Sequence, residues 1–292
     1  MNIFVSTIIS TMNGREIALV AWVFIVLIFI VFSSKTRPAF MGVIKALVNK
    51  KIIGPLVIAF VYSSVSIWML HFVGIWKLIL LKDTIFWLLG TAIVLFFNTN
   101  KASQDSSLFR KMLLETAAFT VFLEFLANLY SFSFIVEFTL MPFLFLVVAM
   151  SALADGRDEH KIIRKPLKVV LAGYGLFILS YSILTALNNL VGSLTVYNLL
   201  TLITPSVLTV MYLPFIYVFA LVMAYETLFV RLGIFIKNKK LLTFTKWRIF
   251  TLCLINLRLL NKFSQNTGAQ ILKIKNRKDV VNMINDFKKK YA

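Results

Sequence analysis

Three ionisable residues interrupt otherwise apolar stretches at a similar depth: His71, Glu124 and Glu137. The two glutamates flank a short Ser131-Phe132-Ser133 turn. At a helical rise of 1.5 Å per residue, Glu124 lies about 10 Å and Glu137 about 6 Å from it. His71, five residues before Trp76, falls in the same layer. A charge inside a bilayer costs at least about 2.5 kcal/mol on insertion scales, so such groups are candidates for function. Together they suit a hydrated pore vestibule, an ion-attracting ring in an oligomer, or a proton relay. The structural alternative is a protonated or hydrogen-bonded carboxyl, or one hydrated near the headgroups. Glu115 and Glu226, four and five residues from Lys111 and Arg231, read as helix-end residues beside those cations.

The second chemistry is positive charge. Residues 231–292 hold fifteen cations and two acids, Asp279 and Asp286, a net +13. Lys237, Lys239, Lys240, Lys246 and Arg248 are near enough to the apolar region to set topology. Lys273, Lys275, Arg277, Lys278, Lys288, Lys289 and Lys290 are too distant for that role, and Arg258 and Lys262 add to the same polyanion-binding candidates. Anionic lipid would stabilise such cations by roughly 1 kcal/mol each. A nucleic acid would gain from counterion release. An acidic protein or simple solvation is the third possibility, and all three stay open on charge alone.

Enzymatic and metal chemistry have no motif. The glycines form neither a P-loop nor a dinucleotide fingerprint. A lone cysteine, Cys253, leaves no disulfide framework, thiolate zinc cage or iron-sulfur site. The Asp155-Gly156-Arg157-Asp158-Glu159-His160 cluster lacks a second ligand motif and reads as a solvated loop. No cofactor is expected.

The elements that must position these groups follow from composition. The chain has 292 residues, 60% apolar and 15% charged, with a formal charge of +19. Soluble domains run near 45–50% apolar and about 25% charged, so an all-α polytopic membrane protein is expected. Apolar runs fall at 17–34, 52–76, 84–97, 112–130, 134–153, 169–187 and 199–230, the third short unless it borrows Leu78 to Leu81, which predicts seven transmembrane helices. The eight segments before, between and after them hold one, five, two, three, no, five, no and fifteen cations. By the positive-inside rule this alternation places the N-terminus outside and the C-terminus in the cytoplasm, with no Lys or Arg inside a span. Two domains follow: a transmembrane helical domain, 1–230, and a basic cytoplasmic region, 231–292.

Within the spans, Ala59, Ser63 and Ser66 form a small-residue stripe suited to close helix packing. The last run, 32 residues, is about 48 Å long, and Pro205 and Pro214 should kink it. In the tail, 247–265 reads as an amphipathic helix and 271–275 as a short strand. Asp279 then opens a helix with Val280, Met283, Ile284 and Phe287 at helical spacing.

This layout, several spans, no enzymatic motif and a strongly basic cytoplasmic region at 231–291, resembles the membrane effectors of bacterial anti-phage defence. Among them it is most similar to the transmembrane partner of Hailong systems. The resemblance implies a homotetrameric channel-like effector of the cell inner membrane. A single-stranded DNA oligomer made by a partner nucleotidyltransferase would hold it inactive, and activation would depolarise or permeabilise the membrane. It assigns no residue; the site choices rest on charge and depth. The function expected is therefore a polyanion-gated channel, with Glu124 and Glu137 shaping the outer pathway. The rivals are a proton-coupled secondary transporter using Glu124, Glu137 and His71, and a membrane scaffold recruiting a partner through its tail.

Overall fold

The computed structural model describes residues 12–104, 131–155, 161–188, 195–272 and 274–291. In chain order the helices are α1 (Gly14–Phe32), α2 (Arg37–Leu47), α3 (Lys50–Phe72), α4 (Leu81–Trp87) and α5 (Ile93–Gln104). They continue with α6 (Phe134–Asp155), α7 (Lys161–Asn188), α8 (Val196–Phe235), α9 (Lys239–Cys253), α10 (Leu257–Asn266), α11 (Gly268–Ile271) and α12 (Arg277–Tyr291). A tight helical turn at Leu78–Leu80 leads into α4, and a widened turn at Leu88–Ala92 joins α4 to α5. No strand occurs among the described residues.

Six stretches are long and apolar enough to cross a membrane: Gly14–Phe32, Ile52–Phe72, Leu78–Thr99, Phe134–Ala154, Ile163–Thr185 and Val196–Phe235. This is the layout of a multi-pass membrane protein. The expected run at 112–130 lies outside the described residues. One expectation needs correction: Arg15, Lys82, Arg164, Lys165, Lys168 and Arg231 lie inside these candidate stretches, because the first, third and fifth begin at Gly14, Leu78 and Ile163 and the last runs to Phe235. Arg15 and Lys82 each have a carboxylate partner there.

The chain divides into two compact units, Met1–Trp87 with Ala118–Leu208, and Leu88–Ala117 with Thr209–Ala292. In the first, α1 lies along α6, and α6 along α7. Helices surrounded by lipid gain little from burying apolar surface against each other, so contact depends on small residues and polar links. Ala18 of α1 is fully buried while Phe24, Phe29 and Phe32 face outward. Trp22 stacks on Phe138 at 4.9 Å and donates its indole N–H to the Phe138 carbonyl at 2.8 Å. Ala59, Ser63 and Ser66 are all buried, as the small-residue stripe leads one to expect. Gly14 is required by close approach: a Cβ there would sit 2.6 Å from the Phe132 carbonyl oxygen.

In the second unit, α8 organises the core. It is 40 residues long, unbroken through Pro205 and Pro214. At about 60 Å it is twice the thickness of a bilayer's hydrocarbon. Its later turns present Ala220, Ala224, Leu228 and Leu232, four residues apart, as one stripe. Against that stripe pack Leu241, Ile249 and Cys253 of α9, Leu257, Leu260 and Phe263 of α10, and Val280, Met283, Ile284 and Phe287 of α12. The four α12 residues are those expected from helical spacing. A division between residues 230 and 231 falls inside α8, so the basic region shares its core with the last spanning helix rather than following it.

Two local expectations are overturned. Residues 247–265 form two helices, α9 and α10, because Leu254 takes a left-handed φ of 43° and Asn256 starts a new helix by accepting the Leu259 N–H. The described residues of 271–275 form no strand: Ile271 closes α11 and Leu272 is a turn. In the core, Phe263 is fully buried and meets the Phe287 ring edge-on at 5.0 Å. Phe263→Ala should lower the stability of the basic module by about 3–5 kcal/mol, with Phe263→Leu losing less. Protease-resistance melts of the purified full chain, followed at the tail, would measure both.

Candidate functional site

Arg15 and Glu16 are adjacent in sequence and reach to different helices. The Arg15 guanidinium lies 3.0 Å from the Glu137 carboxylate of α6, whose side chain is 1% exposed. Glu137 also accepts the Phe132 backbone N–H at 3.2 Å, tying the 131–133 turn to the same pair. Glu16 accepts Lys82 Nζ of α4 at 3.1 Å, and Asp83 stands 3.7 Å from that ammonium. Glu16 further closes a capping box with Asn13, each side chain bonded to the other's backbone N–H at 2.9 Å. Two cations and three carboxylates thus share one layer.

The layer has a second electrostatic source. Glu16, Asp83 and Glu137 each lie in the first turn of their helix. The exposed N–H groups there carry partial positive charge, which favours a carboxylate. Tyr197, at the start of α8, borders the Glu16–Lys82–Asp83 group. Sequence reading treats Arg15 and Lys82 only as topological charges. The signal that could have found the layer is the pair of oppositely charged neighbours, Arg15-Glu16 and Lys82-Asp83, at the heads of two apolar runs.

Of the three sequence candidates for a pathway, Glu137 is in this layer as a partnered ion. His71 is exposed and bonds locally, its Nδ1 3.2 Å from the Trp76 carbonyl with the two rings edge-on. Glu124, like Glu115, lies outside the described residues. The 156–160 part of the acidic loop cluster does too.

The basic module has a groove of about 520 Å³ lined by Lys239, Lys240, Thr243, Phe244, Trp247 and Arg277. Asn238 starts α9 by accepting the Lys240 and Leu241 N–H groups, which places Lys239 and Lys240 on its first turn. The Arg277 guanidinium sits 5.1 Å above the Phe244 ring and brings the start of α12 to the same groove. The groove therefore joins three predicted cations with two aromatic rings that charge counting passed over. Basic and aromatic residues interleaved three to four apart along 239–248 were the available signal.

The other predicted cations are distributed. Lys246 lies over the Phe229 ring at 5.2 Å and Arg248 is half-buried. Lys237, Arg258, Lys262, Lys275, Lys278, Lys288, Lys289 and Lys290 are exposed around the module. Lys273 lies outside the described residues. Asp279 caps α12 by accepting the Lys275 and Asn276 N–H groups at 2.8 and 2.9 Å. Those bonds hold its carboxyl below the usual value of 3.8. Burial pushes the Cys253 thiol up to about 12, so it remains protonated and unreactive in the folded module.

No family model matches the chain, and no curated protein or solved structure is similar to it.

Two outcomes are expected from these contacts. Glu137→Met removes the buried partner of the Arg15 guanidinium and should destabilise the membrane unit by about 3 kcal/mol, whereas Arg15→Met with Glu137→Met should lose less than the two single changes together. Thermal melts of the unsubstituted protein, Arg15→Met, Glu137→Met and the double variant in one detergent give the coupling. For Asp279, a lowered native pKa means its stabilising effect is complete above pH 3.8 and is lost as pH falls through the native value. An acid titration of module stability should therefore flatten in Asp279→Ala.

Proposed function

We propose that the protein is a homo-oligomeric, channel-like or permeabilising effector of the cell inner membrane, acting in anti-phage defence and gated by a polyanion at its basic cytoplasmic region. A single-stranded DNA oligomer made by a partner nucleotidyltransferase is the polyanion this reading favours, and a homotetramer the assembly. The observation that carries the reading is α8. One unbroken helix starts as the last span and ends as the central stripe of the basic module. A ligand that shifts the module therefore acts directly on a membrane helix.

The groove supports a strand-like polyanion. Its ammonium and guanidinium groups suit phosphates, and exposed Trp247 beside Phe244 offers ring faces on which bases can stack. Ion pairs that bring the starts of α1, α4 and α6 into one layer agree with seven alternating spans and an outside N-terminus. The pairing of Glu137 with Arg15 favours a clamp over a relay, which weakens the proton-coupled transporter reading.

Planar-bilayer recording with the purified protein, with and without single-stranded oligonucleotide at two salt concentrations, tests the proposal. Conductance should change on adding oligonucleotide, and the effect should weaken as salt rises. Replacing Lys239, Lys240 and Arg277 by Gln should reduce the response, with Lys273, Lys275 and Lys278 to Gln as a second set. A membrane that stays silent in every condition would falsify the channel. Unchanged sensitivity in both sets would remove the polyanion site.

A further inference from the structure

The connection between α9 and α10 exposes large apolar side chains at a defined level of the molecule. Leu254 is 55% and Ile255 68% exposed, and behind them Phe250 and Trp247 continue along one face of α9 at 43% and 63%. This turn is pinned to α8. Tyr217 donates its hydroxyl to the Ile255 carbonyl at 2.6 Å, and Tyr225 donates to the Leu254 carbonyl at 2.8 Å. The Leu257 N–H in turn bonds the Tyr217 hydroxyl at 3.4 Å. The position of the turn along α8 is thereby set to within two helical turns.

That position can be compared with the bilayer. Counted from Val196, where α8 begins, a hydrocarbon core about 30 Å thick is crossed in roughly 20 residues, which ends close to Tyr217. No charged residue lies in α8 before Glu226. If the span sits further along the helix, toward Tyr225, the turn is carried deeper into the membrane rather than out of it. Either placement puts Leu254 and Ile255 at or below the headgroup boundary, where exposed apolar side chains are stable. The flanking residues suit the same location. Trp247 lies about 10 Å back along α9, an interfacial level that tryptophan favours. Exposed Arg258, three residues beyond Ile255, can lay its stem along the apolar layer and extend its guanidinium to phosphate.

We infer that the α9–α10 turn is a monotopic membrane anchor: Leu254 and Ile255, with Phe250 behind them, are seated in the phospholipid leaflet on the module's side, and Trp247 stands at its interfacial edge. The anchor fixes one end of the basic module at the membrane. It adjoins the polyanion groove, which Trp247 borders and whose Lys239 and Lys240 lie at the opposite end of α9.

The test uses the full chain in vesicles of phosphatidylethanolamine and phosphatidylglycerol, with no polyanion present. Ile255→Cys, Trp247→Cys and, as a reference on the exposed face of α12, Asn285→Cys are each spin-labelled. Unsubstituted protein, with its buried Cys253, is the blank. Collision with molecular oxygen relative to a water-soluble nickel chelate reports lipid exposure. The ratio at residue 255 should exceed that at 285 several-fold, with residue 247 between them. A ratio at 255 no higher than at 285 places the turn in water and overturns the anchor. A label at 255 shielded from both agents places it against protein, such as a second copy, and overturns it equally.

Discussion

Arg15 and Glu16 set the constraint that the membrane unit depends on. A guanidinium, an ammonium and three carboxylates cannot lie at the head of a helix bundle without partners, because the unpaired charge would be held away from water at high energetic cost. Pairing resolves this, and it also determines which helices meet. Arg15 holds the start of α6 and Glu16 holds the start of α4, both from the first turn of α1. The backbones must then approach closely, which is why Gly14 stands where a Cβ would strike the Phe132 carbonyl. A lipid-facing helix such as α1, with almost no buried surface of its own, is positioned by these polar links and by the Trp22 contact to Phe138.

The basic unit is organised differently, by hydrophobic burial of the ordinary water-soluble kind. Its core gathers leucine, isoleucine, valine and phenylalanine from α9, α10 and α12 onto the small-residue stripe of α8. The stripe belongs to the same helix, Val196–Phe235, whose earlier part is a candidate span. Tyr217 and Tyr225 strengthen that attachment by bonding the carbonyls that the break between α9 and α10 leaves without helical partners.

Charge has two distinct uses in this chain. At the helix heads opposite charges are paired and work as internal structure. Around the module it is left in excess, with like charges spaced over the surface and a few held against aromatic rings, as Arg277 is against Phe244 and Lys246 against Phe229. A surplus of that kind is self-repulsive and gains from a polyanion or an anionic surface. The groove cations Lys239 and Lys240 begin α9 and the exposed apolar turn follows its end, with Trp247 between them.

Much of this was legible in residue order. Apolar run length follows directly from bilayer thickness, so five of the six described spans were recognisable near their observed places, and α12 was readable because its four core residues recur at helical spacing. The third span takes in the Leu78 to Leu81 stretch, and Lys82 and Asp83 look like loop residues until Glu16, 66 positions earlier, is seen to neutralise the lysine. The break at Leu254 was hidden because the apolar pattern continues across it and bonds from distant Tyr217 and Tyr225 help to hold it. Sequence alone determined that the chain enters a membrane and where its net charge accumulates, since both are sums over neighbouring residues. Tertiary structure alone decided which charges cancel, which aromatic rings meet which cations, and that α8 belongs to both membrane and module. Those depend on contacts between residues that the chain keeps far apart.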